Sequence, residues 1–256
     1  MAVRGLDLFR KHFTGLSDRY VIIGGTACVL LMEEAGLPFR ATKDLDIVLL
    51  VEALDAEFGR KFWTFVKSGG YRLQEGTRGK PRLYRFQKPA NDAYPAMVEL
   101  FSRAPDALPI EPAGRRTPIP IDEEISSLSA ILLDADYYAW IQDGRRVIHE
   151  LPVVDAVHLV PLKAKAWMDL RARAAAGEEI DSRSIRKHKN DIFRLFQVIA
   201  PDTDVKPPLR IVEDMPSFLE QIVKEEVDLK ALGLTTISRQ AVLHGLRRLY
   251  RVEGKP

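Results

Sequence analysis

Residues 20–23, Tyr-Val-Ile-Ile, form a short apolar run that stops at Gly24-Gly25, and a helical pattern follows over 26–34 before Gly36 and Pro38. A run of this length bounded by glycines reads as a buried strand. The chain therefore starts a sheet and at once lays a helix against it. A second apolar run at 45–51 opens on Asp44-Leu45-Asp46. Strand, helix and strand in such quick succession commit the first half to layered α/β packing.

Further on, 55–67 has the spacing of an amphipathic helix carrying Phe58, Phe62, Trp63 and Val66. Strands are expected at 83–86 and 97–101, with turns or loops at 76–81 and 88–95, and a proline-rich surface segment at 104–120. In the ambiguous stretch 129–155, residues 147–154 can return a strand to the sheet. From Pro161 onward helices dominate, at 162–176, 185–199, 217–227 and 239–250, with Gly177 and Pro201 as stops for the first two. Strands followed by helices place a boundary near residue 155.

Of the 256 residues, 46% are apolar and 29% charged, which excludes a disordered or low-complexity chain. Lys and Arg number 38 against 36 Asp and Glu, a formal net charge of +2, so any basic face must come from local clustering. Cys28 is the single cysteine and has no partner for an internal disulfide. The longest apolar stretch, 21–32, contains two glycines and falls short of the roughly 18–20 residues of a membrane span. The first residues lack the charged-then-apolar order of a signal peptide. The expectation is a soluble cytoplasmic protein without membrane contact.

Asp44 and Asp46 are two apart at the mouth of a strand, so their carboxylates share one face while Leu45 and Ile47 take the other. Two close carboxylates repel each other and call for a cation or a proton between them. A hard divalent ion with oxygen ligands fits. Gly24-Gly25 lets a phosphate chain approach the backbone, and the helix behind it offers free N–H groups. Taken singly, Asp-x-Asp also marks solvated strand edges and Gly-Gly plain turns; their conjunction in this order carries the chemistry. A dinucleotide fold would need Gly-x-Gly-x-x-Gly, and a Walker loop Gly-Lys-Ser/Thr; neither is present. In sugar-nucleotide transferases the acidic pair follows the apolar strand, whereas here it precedes it. The order favours nucleotidyl transfer.

Gly24-Gly25-Thr26-Ala27 followed by Arg40-x-Thr42-x-Asp44-Leu45-Asp46-Ile47 resembles the signature of the DNA polymerase beta-like nucleotidyltransferase superfamily. Within it the sequence is similar to the AbiEii/AbiGii-type toxins of bacterial toxin–antitoxin and phage-defence systems. Pro161-Leu162-Lys163-Ala164-Lys165-Ala166-Trp167 and Lys187-His188-Lys189-Asn190-Asp191-Ile192 resemble that branch's lysine-bearing and aspartate-bearing helices. The likeness spans residues 18–200.

The resemblance implies an α/β (α+β) nucleotidyltransferase domain with a mixed sheet over 1–155 and a mostly helical C-terminal domain over 156–256. It implies transfer of a nucleoside monophosphate from an NTP to an acceptor hydroxyl, with Mg²⁺ or Mn²⁺ held by Asp44, Asp46 and a third carboxylate. Glu99 is taken as that third group, although many such enzymes carry Asp there. Gly24, Gly25 and Thr26 would cradle the β- and γ-phosphates, and Arg40 and Thr42 would contact the nucleotide. Lys165 would reach the phosphates, with Lys163 the competing lysine, and Asp191 would support the cleft. The implied partners are NTP, tRNA or another RNA, and a cognate antitoxin protein. Nucleotidylation of a protein or small molecule, and a catalytically idle nucleotide- or RNA-binding module, stay open.

Spacing also allows plainer roles. Lys165 with Asp169, and Lys187 with Asp191, have the i,i+4 spacing of surface ion pairs. Two basic clusters, one of Arg78, Lys80, Arg82, Arg85 and Lys88 interleaved with Tyr84 and Phe86, the other of Arg183, Arg186, Lys187, His188, Lys189 and Arg194, could track an RNA backbone or face solvent. The five histidines are too scattered for a metal site.

Overall fold

The computed structural model describes residues 3–50, 52–73, 83–101 and 134–252. The expected turn at 76–81, the segment at 104–120, and Arg78, Lys80 and Arg82 lie outside the described residues.

Among the described residues a seven-stranded mixed sheet carries the fold, in the order β3-β4-β5-β2-β1-β7-β6. Its strands are β1 (Tyr20–Ile22), β2 (Asp44–Leu49), β3 (Arg72–Leu73), β4 (Leu83–Gln87), β5 (Met97–Phe101), β6 (Arg145–Ile148) and β7 (Leu151–Val154). β1 runs antiparallel to β2 and parallel to β7, while β2 runs parallel to β5. The expected α/β fold with a mixed sheet is what the chain forms.

Among the described residues the helices are α1 (Leu6–His12), α2 (Gly24–Glu34), α3 (Ala56–Gly69), α4 (Ala135–Asp143), α5 (Ala156–Ala175), α6 (Ser182–Phe196), α7 (Leu209–Ile222) and α8 (Arg239–Leu249). α2 buries every residue from Gly24 to Met32, which is why it lacks a polar face. α3 is amphipathic as expected. Asp55 caps it by accepting from the Phe58 N–H at 2.9 Å, and Gly70 ends it at φ +59°. Its Phe58, Phe62 and Phe65 pack with Phe9, Phe13 and Tyr20 into an aromatic cluster under the sheet.

Several boundaries depart from expectation. Residues 147–154 form a hairpin rather than one strand. His149 and Glu150 turn it at φ 49° and 64°, the positive values a two-residue loop requires. α5 starts at Ala156, a turn and a half before the expected 162, because Asp155 caps it through the His158 N–H at 2.8 Å. Pro161 sits inside α5 and has no N–H to offer the Val157 carbonyl four residues back. That carbonyl accepts from the buried Tyr250 hydroxyl at 2.6 Å instead. The freed acceptor thereby ties the chain's last helix to α5. α7 begins eight residues before the expected 217, with Pro216 inside it. One hydrophobic cluster runs from Val3 to Tyr250, continuous across residue 155.

Candidate active site

Asp44 and Asp46 line one cleft of about 230 Å³, whose sheet side also presents Gly24, Gly25, Arg85, Met97 and Glu99. Glu99 arrives through the parallel register, in which Asp46 lies opposite Glu99. Gly24 adopts φ +66°, a conformation side chains rarely take. A β-carbon on Gly25 would stand 2.7 Å from the Thr42 hydroxyl oxygen. The Thr26 hydroxyl donates to the Asp44 carbonyl at 2.7 Å, pinning the start of α2 to the start of β2. No side chain caps the first turn of α2, so its N–H groups stay available at the cleft.

The cleft's carboxylates are electrostatically strained. Burial, reinforced by Glu99, pushes the Asp46 carboxyl up to about 7. Burial and then Asp46 raise Asp44 from the ordinary carboxylate range. Arg85 lies opposite Glu99 in the β4–β5 register and donates to its Oε1 from Nε at 2.6 Å. One rung thus crosses three neighbouring strands: Asp46, Glu99, Arg85.

The facing wall is helical. α5 contributes Lys163, Leu170 and Arg173, and Asp181, Ser184, Lys187 and His188 come from the start of α6. Positions 163, 170 and 173 fall on one face of a helix; Lys165, roughly 200° around from Lys163, does not. Lys165 turns away and meets Asp214 of α7 at 2.8 Å, so the lysine that the structure brings to the carboxylates is Lys163.

Asp191 is fully buried behind this wall. It accepts from Arg40 Nε at 3.0 Å and Nη2 at 2.7 Å, and from Lys163 Nζ at 3.1 Å. Burial opposes its ionisation, but Lys163 and Arg40 overcome that and hold it down at about 2. Thus Asp191, Arg40, Thr42 and Thr26 stand behind the lining residues. With Asp191 engaged by Arg40 and Lys163, Lys187 faces the cleft, in electrostatic reach of Asp44 and Asp46. Burial, with Lys163 and Lys187 nearby, keeps His188 neutral well below its usual range. Cys28 donates to the Gly24 carbonyl at 3.1 Å, and burial lifts its thiol to about 11, so it is packed and unreactive.

As they stand, no three His, Cys, Asp or Glu side chains among the described residues are set to hold a metal ion. The expected triad meets in one cleft, but Arg85 has engaged Glu99. Asp44 and Asp46 remain a two-carboxylate set beside a glycine cradle, which suits a hard cation completed by water and phosphate oxygens.

Among their described residues, the two basic clusters are interrupted. Phe86 is core, Lys189 pairs with Glu225 at 2.9 Å, and Arg194 lies over Phe39. Lys88 instead joins Arg4 and Lys43 along a second groove of about 370 Å³, which shares Asp44 and Met97 with the first. In the sequence Lys163 stands as the competitor of Lys165 and Lys187 as one residue of a basic cluster. What sets them apart from their neighbours is the face that α5 and α6 turn to the sheet.

No family model matches the sequence, and no curated protein matches it. Solved structures with a similar arrangement include an antigenic nucleotidyltransferase-like protein from Paracoccidioides brasiliensis. It is 16% identical, with 93% of this chain and 94% of that chain covered, at a TM-score of 0.41. The antibiotic-resistance factor ANT(2'')-Ia is 11% identical over 85% of this chain and 92% of that one, at a TM-score of 0.38. JHP933 from Helicobacter pylori is 14% identical over 96% and 90%, at a TM-score of 0.33. Among the described residues no helix is long and apolar enough to cross a membrane.

Proposed function

We propose that the cleft binds a nucleoside triphosphate and transfers its nucleoside monophosphate to an acceptor hydroxyl, releasing pyrophosphate. The observation that carries this reading is the meeting of opposite charges across one cleft. Asp44, Asp46 and the glycine start of α2 form one wall, and Lys163 and Lys187 stand on the other. A bound Mg²⁺ or Mn²⁺ would neutralise phosphate charge and fix the geometry of attack. Asp44 and Asp46 would hold it. The first-turn N–H groups of α2 receive phosphate oxygens, helped by the helix dipole. Lys163 and Lys187 balance the remaining phosphate charge. Arg40, Thr42, Thr26 and Asp191 position these groups, while the helices after residue 155 cover the cleft.

For the acceptor, RNA is favoured over a protein or small molecule by the second groove. Lys43 and Lys88 flank its continuation past Asp44, suiting a polyanion that enters from that side. Together with the resemblance of the 161–167 and 187–192 segments to the lysine-bearing and aspartate-bearing helices of AbiEii/AbiGii-type toxins, this supports a cytoplasmic toxin that modifies RNA such as tRNA and is restrained by a cognate antitoxin.

The test is incubation with Mg²⁺, each α-labelled NTP in turn and total bacterial tRNA, with Asp46→Asn and RNA-free controls. Label moving to tRNA, and lost in the variant, is the expected result. Label on the protein itself would replace RNA with protein nucleotidylation. NTP binding without any transfer would reduce the protein to a binding module.

A further inference from the structure

Arg85, Glu99 and Asp46 sit at one level on adjacent strands, and only one of them is positive. Glu99 is buried at the centre of this row, with Asp46 on one side and the Arg85 guanidinium on the other. Arg85 is itself largely enclosed and lines the cleft. A guanidinium does not deprotonate in a protein, so this positive charge is permanent. It stands where a cation bridging Glu99 would otherwise be needed. With Glu99 held by Arg85, Asp44 and Asp46 are the carboxylates of the sheet wall left to a cation, facing Lys163 and Lys187 across the cleft.

We propose that Arg85 is a built-in counter-cation for Glu99, which makes the cleft a one-cation site at Asp44 and Asp46 and sets its affinity. This rests on the reading of the cleft as a cation and nucleotide site, and deepens it by assigning the number of metal ions the protein itself can hold. Arg85 is a positioning residue. It withdraws Glu99 from the ligand set, so any further cation must be brought by the phosphates of the substrate.

The experiment is Mn²⁺ titration of the full chain without nucleotide, read from the electron paramagnetic resonance signal of free Mn²⁺. Wild type is expected to take one ion. Arg85→Met is expected to bind Mn²⁺ roughly tenfold more tightly or to gain a second ion, the scale of removing one unit charge near a half-buried site. Arg85→Lys keeps the charge and should stay close to wild type. In a Glu99→Gln background, Arg85→Met should change nothing, because the group it releases is gone. Melting curves accompany each variant, and Arg85→Gln serves where the methionine form does not fold.

Identical binding by wild type and Arg85→Met, or two ions in wild type, overturns the proposal while leaving the cation site intact. Failure of every form to bind Mn²⁺ overturns both the proposal and the reading beneath it.

Discussion

Gly24 and Asp46 compete for the same space: a β-carbon on Gly24 would stand 1.7 Å from Asp46 Oδ2. The carboxylate reaches the first turn of α2 only because position 24 has no side chain. Motif glycine and motif aspartate, far apart in sequence, are two halves of one contact.

Gly24→Ala should therefore damage the site and the fold together. Left-handed backbone costs a side-chain-bearing residue about 1–2 kcal/mol before the collision is counted. Chemical denaturation is expected to show at least about 2 kcal/mol of lost stability, and nucleotide binding should fall in the folded fraction. A variant with wild-type stability and binding would mean that the backbone and Asp46 readjust freely.

Asp46→Asn should abolish transfer without destabilising the protein. The wild-type carboxylate is buried against Glu99, so removing its charge relieves repulsion in the cation-free protein. The melting temperature is expected to match or exceed wild type without divalent ions. Added Mn²⁺ should raise the wild-type value and leave the variant's unchanged. Equal stabilisation of both by Mn²⁺ would remove Asp46 from the cation site.

Loss of the Asp191 charge should be costly, because Lys163 is left buried and unpaired. Asp191→Ala is expected to lose about 3–5 kcal/mol. In combination with Lys163→Met the loss should be clearly less than additive. The sign with pH follows from the depressed carboxyl. Its folded value of about 2 lies below the unfolded value near 3.9, so its stabilisation is full above that value and fades as pH falls toward 2. The stability gap between wild type and Asp191→Asn should narrow between pH 5 and pH 2. A gap independent of pH would contradict the ion network.

Lys187 and Lys165 should separate cleanly. Lys187→Met is expected to raise the KM for NTP several-fold with little change in melting temperature. Lys165→Met should lower the melting temperature through Asp214, which also accepts from the Tyr137 hydroxyl at 3.0 Å, and leave KM unchanged. Steady-state kinetics beside thermal melts decide it, and the opposite pattern would reverse the two faces of α5 and α6.

Much of this site could be read from local order. Strand alternation places Asp44 and Asp46 on one face, and a glycine pair behind a buried strand marks a backbone that must lie close to something. Glu99 could be reached the same way, since its apolar neighbours Val98 and Leu100 define its face. Helical spacing is less decisive. Lys163 and Lys165 are both acceptable on local grounds, and only the packing of α5 against the sheet selects between them. The pair Lys187 and Asp191 shows the same limit: their spacing permits an ion pair, yet Arg40, 151 residues away, claims the carboxylate.

By itself, then, the sequence determined β1, β2, β4, β5, α2 and α3 and the motif that opens β2, because these follow from periodicities of two and 3.6 residues and from glycine's backbone freedom. The tertiary structure decided which cation faces which carboxylate: Arg85 on Glu99, Lys163 and Arg40 on Asp191, Lys165 on Asp214. Those pairings depend on distances between strands and helices remote in the chain, and Coulomb energy at such short range is settled by register and helix rotation, which no local pattern encodes.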